Sequence, residues 1–129
     1  MRFYIASSFR NLDNVREVAQ QLKSRGYMQT YDWTMHTGID SLQELTVIGA
    51  QEREAVLCAD KFIMMLPAGK GSHVELGLAI GAGKSIYIHS THHDEINDIQ
   101  KTCTFYQLPE VNPIIGTIDD LVARIYEDN

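Results

Sequence analysis

Across Phe62-Ile63-Met64-Met65-Leu66-Pro67-Ala68-Gly69-Lys70-Gly71-Ser72-His73-Val74-Glu75-Leu76-Gly77, an apolar run passes through a glycine-bearing turn into the helical spacing Leu76, Ala79, Ile80. The order is strand, turn, helix, with a carboxylate expected in the first helical turn. Gly69 and Gly71 let backbone approach a ligand closely, and the open amides of a helix start attract anions or hydroxyls. A carboxylate at that end is favoured in its ionised form by the helix dipole. Glu75 is thus a candidate nucleophile or a partner for a developing cation. Ser72-x-x-Glu75 also fits a capping box, in which both side chains close the helix start without any chemistry. Both readings stand at this point.

Upstream, Phe3-Tyr4-Ile5-Ala6 predicts a first strand, and Val15, Val18, Ala19 and Leu22 predict a helix over 12–25 that Gly26 ends. Tyr27 to Thr34 predicts a second strand, Met35 to Ser41 a polar loop, and Leu42 to Ala59 a long helix. The strand Lys61 to Leu66 follows, then the helix to Ala82, closed by Gly83-Lys84, and a strand at Ser85 to His89. A polar loop, Thr91 to Lys101, leads to a fifth strand expected around Thr104-Phe105-Tyr106 and a last helix over 118–126. Strands alternating with helices imply a three-layer, doubly wound α/β domain spanning 1–129. Its simplest form is a five-stranded parallel sheet in the flavodoxin-like order 2-1-3-4-5. That order faces the loop Ser7-Ser8-Phe9-Arg10 with the turn Gly69 to Glu75 across one crevice, the position at which open α/β sheets bind ligands.

On the helix Leu42 to Ala59, the stripe expected to face the sheet comprises Leu45, Ile48, Gly49, Ala55, Val56 and Ala59, and Glu52 falls within it. A carboxylate there must be paired or line a cavity, or else reach past the stripe's edge to water. Two acids at one crevice suit glycosidic chemistry, in which one attacks the anomeric carbon and the other handles the proton of the leaving group.

Composition limits the ligand class. A net charge of -6 with no evident basic patch argues against nucleic acid as a partner. No apolar stretch approaches bilayer length, and Met1-Arg2-Phe3-Tyr4-Ile5 has the pattern of a strand, so no membrane partner is expected. Cys58 and Cys103 lack metal-type spacing and fit reduced thiols in a cytoplasmic protein. A small molecule is the expected partner.

With Ala59-Asp60, the apolar strand, Gly71, Val74-Glu75-Leu76-Gly77, Ala79 and Gly83-Lys84 in place, the chain resembles the nucleoside 2-deoxyribosyltransferase family and its relatives, the 2'-deoxynucleoside 5'-monophosphate N-glycosidases. The resemblance covers the domain in outline and implies a flavodoxin-like fold. It also implies cleavage or transfer at the N-glycosidic bond of a (deoxy)nucleoside or nucleoside 5'-monophosphate, through a covalent glutamyl-sugar intermediate and without a cofactor. The family nucleophile maps onto Glu75, and an acid eight residues before the Ala-Asp position maps onto Glu52, which is longer by one methylene than the family aspartate. The glycosidase branch's Gly-Ser-x-Arg segment corresponds to Ser7-Ser8-Phe9-Arg10, which makes Ser7, Ser8 and Arg10 implied phosphate or ribose contacts. By analogy Tyr4 walls the base pocket, and a neighbouring subunit of a homo-oligomer completes the site. The transferases carry an aspartate, and a monophosphate hydrolase a serine, six residues before the glutamate, where this chain has Gly69. Ser72 and the amides of the Gly69 to Gly71 turn are the substitutes, and Lys70 adds a charge that favours a phosphorylated ligand. The same departure keeps open a non-catalytic module that binds a nucleotide or nucleotide-derived signal.

Asp32-Trp33-Thr34 sets Trp33 either over a base or into the core. His73 stands beside Glu75 as a substrate contact or an exposed helix residue. His89, His92 and His93 share a polar loop, but three or four converging ligands are needed for a metal, and none is expected.

Overall fold

The computed structural model describes residues 1–128. Five strands, β1 (Arg2–Ala6), β2 (Met28–Gln29), β3 (Lys61–Met65), β4 (Ser85–Ser90) and β5 (Val111–Ile115), form one sheet in the order β2-β1-β3-β4-β5. Every pairing is parallel, so this is the flavodoxin-like arrangement expected. Helices α1 (Leu12–Ser24) and α5 (Ile118–Glu127) pack together, and α2 (Leu42–Cys58) packs with α3 (Lys70–Gly81). A short helix, α4 (Asp94–Asn97), interrupts the loop after β4. No helix among the described residues is long and apolar enough to cross a membrane.

The central strands are buried along their whole length, β3 without exception, as continuous apolar runs in a doubly covered sheet require. In β1 the alternation of side chains sends Tyr4 toward α2 and α3, while Phe3 and Ile5 face the other layer. Tyr4 pairs with Phe62 across β1 and β3 and stacks on it, with ring centroids 6.1 Å apart. In the other layer Lys61 is buried and donates from Nζ to Tyr87 Oη and to the Ile125 carbonyl of α5, both at 3.2 Å. This stitches the sheet to the last helix. Gly26 (φ 90°) and Gly83 (φ 70°) end α1 and α3 in the left-handed conformation that glycine adopts without strain.

Three sequence expectations are corrected. The fifth strand is Val111–Ile115, and Thr104–Gln107 is a 3-10 turn; a proline within Val111-Asn112-Pro113 disguised the strand, which tolerates it at the sheet edge. The second strand is only two residues long, because Trp33–Met35 turns into a 3-10 segment capped by Asp32, whose carboxylate accepts from Thr34 N at 3.0 Å. In α2 the buried positions are Ala55 and Val56, joined by Ala59 just beyond it, whereas Leu42, Leu45 and Val47 are 82%, 52% and 53% exposed. The sheet and α3 therefore cover only the C-terminal half of that helix.

Core and surface thus divide α1 from the first half of α2. Leu22→Ala, at a fully buried position, is expected to cost about 3 kcal/mol in denaturant unfolding. Leu45→Ala should change the unfolding free energy of the monomer by less than about 0.5 kcal/mol; equal losses in the two variants would contradict this division.

Candidate active site

α3 begins at Lys70, with Gly69 as its N-cap residue. Glu75 therefore lies in the second turn, and the capping box Ser72-x-x-Glu75 does not form. Instead, Ser72 Oγ accepts weakly from Gly69 N at 3.4 Å and donates to the Ser7 carbonyl at 3.1 Å. No acidic residue stands in the first turn of α3, so the dipole effect expected for Glu75 is not what governs its charge. The side chain reaches inward to β1, where Tyr4 Oη donates to Glu75 Oε2 at 2.5 Å.

Glu52 approaches the same hydroxyl from α2, with its Oε2 3.5 Å from Tyr4 Oη. A phenol has one proton, and the shorter contact holds it. Tyr4 is fully buried and both acids are half-buried. The stripe argument selected Glu52 correctly as an inward-facing acid, although its N-terminal neighbours on that stripe are exposed. Next to Glu52, Tyr31 Oη donates to Gln51 Oε1 at 3.0 Å and lies 2.5 Å from His36 Nε2. Tyr31 and His36 were not singled out from the sequence. His36 sits in the polar loop and Tyr31 just past β2, and only the turn through Asp32 and Trp33 brings them beside α2.

Burial sets the ionisation of this cluster. It pushes the Glu75 carboxyl up from 4.5 to about 7, the Tyr4 hydrogen bond pulls it down, and the negative charge of Glu52 raises it. Burial also raises Glu52, opposed by the nearby His36 and by Tyr4. The Tyr4 phenol is pushed upward by burial and then by Glu75, so it stays a hydrogen-bond donor. Two carboxyl groups under one phenol, each displaced toward neutrality, can divide the roles of base and acid between them.

The loops that follow β1 and β3 lie side by side, as the order of the sheet requires. Ser7 Oγ donates to the Met65 carbonyl at 2.7 Å and Ser8 N to the Pro67 carbonyl at 3.0 Å, while Asn11 Nδ2 donates to Ser7 Oγ at 3.1 Å. Ser7 is therefore committed to clasping β1 to the end of β3. Ser8 caps the following 3-10 turn through Arg10 N at 3.2 Å, and Arg10 itself is exposed. Gly69, Lys70 and Gly71 are exposed at the start of α3, which has no side-chain cap. Such an end keeps its amides available to an anion.

Trp33 does not offer the stacking face considered for it. It is 5% exposed, donates from Nε1 to the Ile5 carbonyl at 2.6 Å and carries Phe9 edge-on at 5.2 Å. His73 is held by its own surroundings, with Nδ1 donating to the Gly69 carbonyl and Tyr106 Oη donating to Nε2, both at 2.7 Å. Asp60 accepts from Arg2 N at 2.8 Å. His92 and His93 are exposed and His89 is buried; among the described residues no group of three or more His, Cys, Asp or Glu is arranged to hold a metal ion.

No protein-family model and no curated protein matches this sequence. Among solved structures, the chain is similar to a CMP N-glycosidase, BcmB, of Clostridium botulinum, with a TM-score of 0.67 and 18% identity over 100% of both chains. It is similar to a 2-deoxyribosyltransferase of Bacillus psychrosaccharolyticus, with a TM-score of 0.64 and 21% identity, covering 79% of this chain and 80% of the other. A conserved protein of Enterococcus faecalis V583 superposes with a TM-score of 0.66 at 13% identity, covering 100% of this chain and 99% of the other. At these identities the likeness is one of fold.

The Glu75 carboxyl is expected to titrate near 7 when followed by 13C NMR. Tyr4→Phe should move that midpoint up by about one unit, because the lost hydrogen bond favoured the ionised form. A raised folded-state value means that the folded protein holds the extra proton between 4.5 and about 7. This group's contribution to stability is thus full at low pH and lost as pH rises through that window. Glu75→Gln should remove that slope, and an unchanged slope would contradict the assignment.

Proposed function

We propose that the protein cleaves the N-glycosidic bond of a nucleoside or nucleoside 5'-monophosphate, with Glu75 as nucleophile. The observation that carries this reading is the sharing of one buried phenol by two carboxyl groups, Glu75 at 2.5 Å and Glu52 at 3.5 Å from Tyr4 Oη. Contacts of that length to one atom hold the two oxygens no more than about 6 Å apart. Retaining glycosidases, which form a covalent sugar ester, space their carboxyl groups about 5–5.5 Å apart, and inverting ones about 6.5–9.5 Å apart. The likeness in fold to a CMP N-glycosidase and a 2-deoxyribosyltransferase supports the same class of chemistry.

In the first half of the reaction, Glu75 Oε attacks the anomeric carbon as the bond to the base nitrogen breaks. The bonding pair leaves with the base, which takes a proton from Glu52; the two acids share one phenol closely enough to share a proton, and the productive form holds it on Glu52 while Glu75 is ionised. In the second half, Glu52, now ionised, removes a proton from water as the water oxygen attacks the same carbon. Free sugar or sugar phosphate departs and Glu75 is regenerated. A second base in place of water gives transfer. Tyr4, fully buried beneath the two acids, positions the nucleophile by donating to Glu75. Ser8, Arg10, Ser72 and the amides at Gly69 and Gly71 surround the sugar's 5' end, where Lys70 favours a phosphate; Ser7 acts by holding the two loops together. Trp33 supports this wall from the core and does not touch substrate. No cofactor enters any step.

We further propose that a second copy of the chain covers the exposed half of α2. Met35, Ile39 and Val47 line one groove there, and Leu42 and Leu45 are exposed on the same half of α2; open apolar side chains of this number mark an association site. Glu52 follows on the same helix, so the covering copy would close the crevice. The free thiols Cys58 and Cys103 fit a cytoplasmic setting.

Incubation with nucleoside 5'-monophosphates should release free base at a rate that rises with pH up to about 7, as Glu75 ionises. Glu75→Ala should lower the rate by roughly a thousandfold or more. Base release that is unchanged in that variant, or tight nucleotide binding with no turnover in the wild type, would overturn the proposal.

A further inference from the structure

A second cleft, of about 620 Å³, opens on the opposite side of the sheet from Tyr4, between α1 and α5 at the carboxyl ends of β3 and β4. Met65 and His89, paired across β3 and β4, both line it. Its volume lies within the range of small-molecule sites. None of the residues assigned to glycosidic chemistry takes part in it.

His89 is 2% exposed, and its Nε2 is 2.9 Å from the Gly116 carbonyl. A carbonyl only accepts, so Nε2–H donates to it, and in that tautomer Nδ1 presents a lone pair. That Nδ1 is buried and has no hydrogen-bond partner. A buried acceptor left without a donor is disfavoured, and an occupant of the cleft that reaches it with a donor removes that cost.

The remaining lining specifies the charge of the donor. Glu17, Glu95 and Asp119 border the cleft, with no lysine or arginine among its lining residues. Glu17 Oε1 and Asp119 Oδ1 both accept from Gln21 Nε2, at 2.9 and 3.2 Å, which draws carboxylates from α1 and α5 together. Glu95 accepts from the buried Ser90 hydroxyl. Each carboxylate keeps lone pairs that these bonds leave unused. An anion finds no welcome at the start of α5, which a capping box closes, with Thr117 N donating to Asp120 Oδ2 at 2.9 Å and Asp120 N donating to Thr117 Oγ1 at 3.1 Å.

We infer that this cleft is a second binding site for a small organic cation with N–H donors, of the alkyl-diamine class. One ammonium sits between Glu17 and Asp119, and the other end donates to His89 Nδ1. This site is independent of the glycosidic chemistry, and its test reads binding and not turnover.

The probes are putrescine, its bis-trimethylammonium analogue, which keeps both charges and lacks every N–H, and inorganic phosphate. Calorimetry on the full chain should show saturable binding of putrescine, much weaker binding of the quaternary analogue and none of phosphate in the cleft. The double variant Glu17→Gln with Asp119→Asn, at exposed positions that leave the core intact, should weaken putrescine by about tenfold or more. Its base release should match the wild type. In 15N NMR the Nδ1 resonance of His89 should move on saturation, and His89→Phe should abolish that response. No saturation by putrescine, equal affinity for the quaternary analogue, an unaffected double variant or an unmoved His89 signal would each overturn the inference.

Discussion

The Tyr4 hydroxyl has one proton to give and two carboxyl groups within reach. The arrangement of the helices around it follows from that constraint. Tyr4 stands on an inner strand and is fully buried, stacked on Phe62 of the neighbouring strand, so its oxygen is a fixed point. Glu75 arrives from α3 and Glu52 from α2, two helices that pack on the same face of the sheet. A buried carboxylate without such a donor would be strongly disfavoured. With it, Glu75 is held near the border between its charged and neutral forms around pH 7. The burial that disfavours the charged carboxylate also strips it of water once ionised, which is what the proposed role of Glu75 as nucleophile calls for.

The loops at the carboxyl ends of β1 and β3 are fixed by a different set of bonds. Ser7, Ser8 and Asn11 spend their polar groups on the backbone at Met65, Leu66 and Pro67, and Ser72 returns the connection to Ser7. The clasp leaves the start of α3 exposed at Gly69, Lys70 and Gly71, with no side-chain cap. It also separates the two sides of the molecule. Toward α2 and α3 the groups are acids under a phenol; toward α1 and α5 they are acids around an unpartnered imidazole nitrogen. The two faces thus offer different chemistry at the same end of one sheet.

Much of the fold was legible because the central strands are buried on both sides and therefore spell out apolar runs, as in Phe62-Ile63-Met64-Met65. The order of the sheet followed from connectivity. The fifth strand was not legible: Asn112 and Pro113 interrupt its apolar run, and only an edge position tolerates the proline. Of the candidate site, a turn pointed to Glu75 and a stripe to Glu52, and the geometry brings both carboxyls to Tyr4. The reason first given for Glu75 was wrong: its helix starts at Lys70, not at Ser72, so burial and Tyr4 set its charge in place of the dipole. Trp33 carried no signal to tell a stacking face from a core anchor until its indole met the Ile5 carbonyl. Tyr31 and His36 converge on Glu52 only through a turn that local propensity does not encode.

The most direct measurement is mass spectrometry of the protein acid-quenched during turnover of a nucleoside 5'-monophosphate, followed by proteolysis. A covalent mechanism predicts one sugar phosphate attached to the peptide containing Glu75, formed and lost at rates compatible with turnover. Base release without any adduct, or an adduct on a residue other than Glu75, would contradict the account.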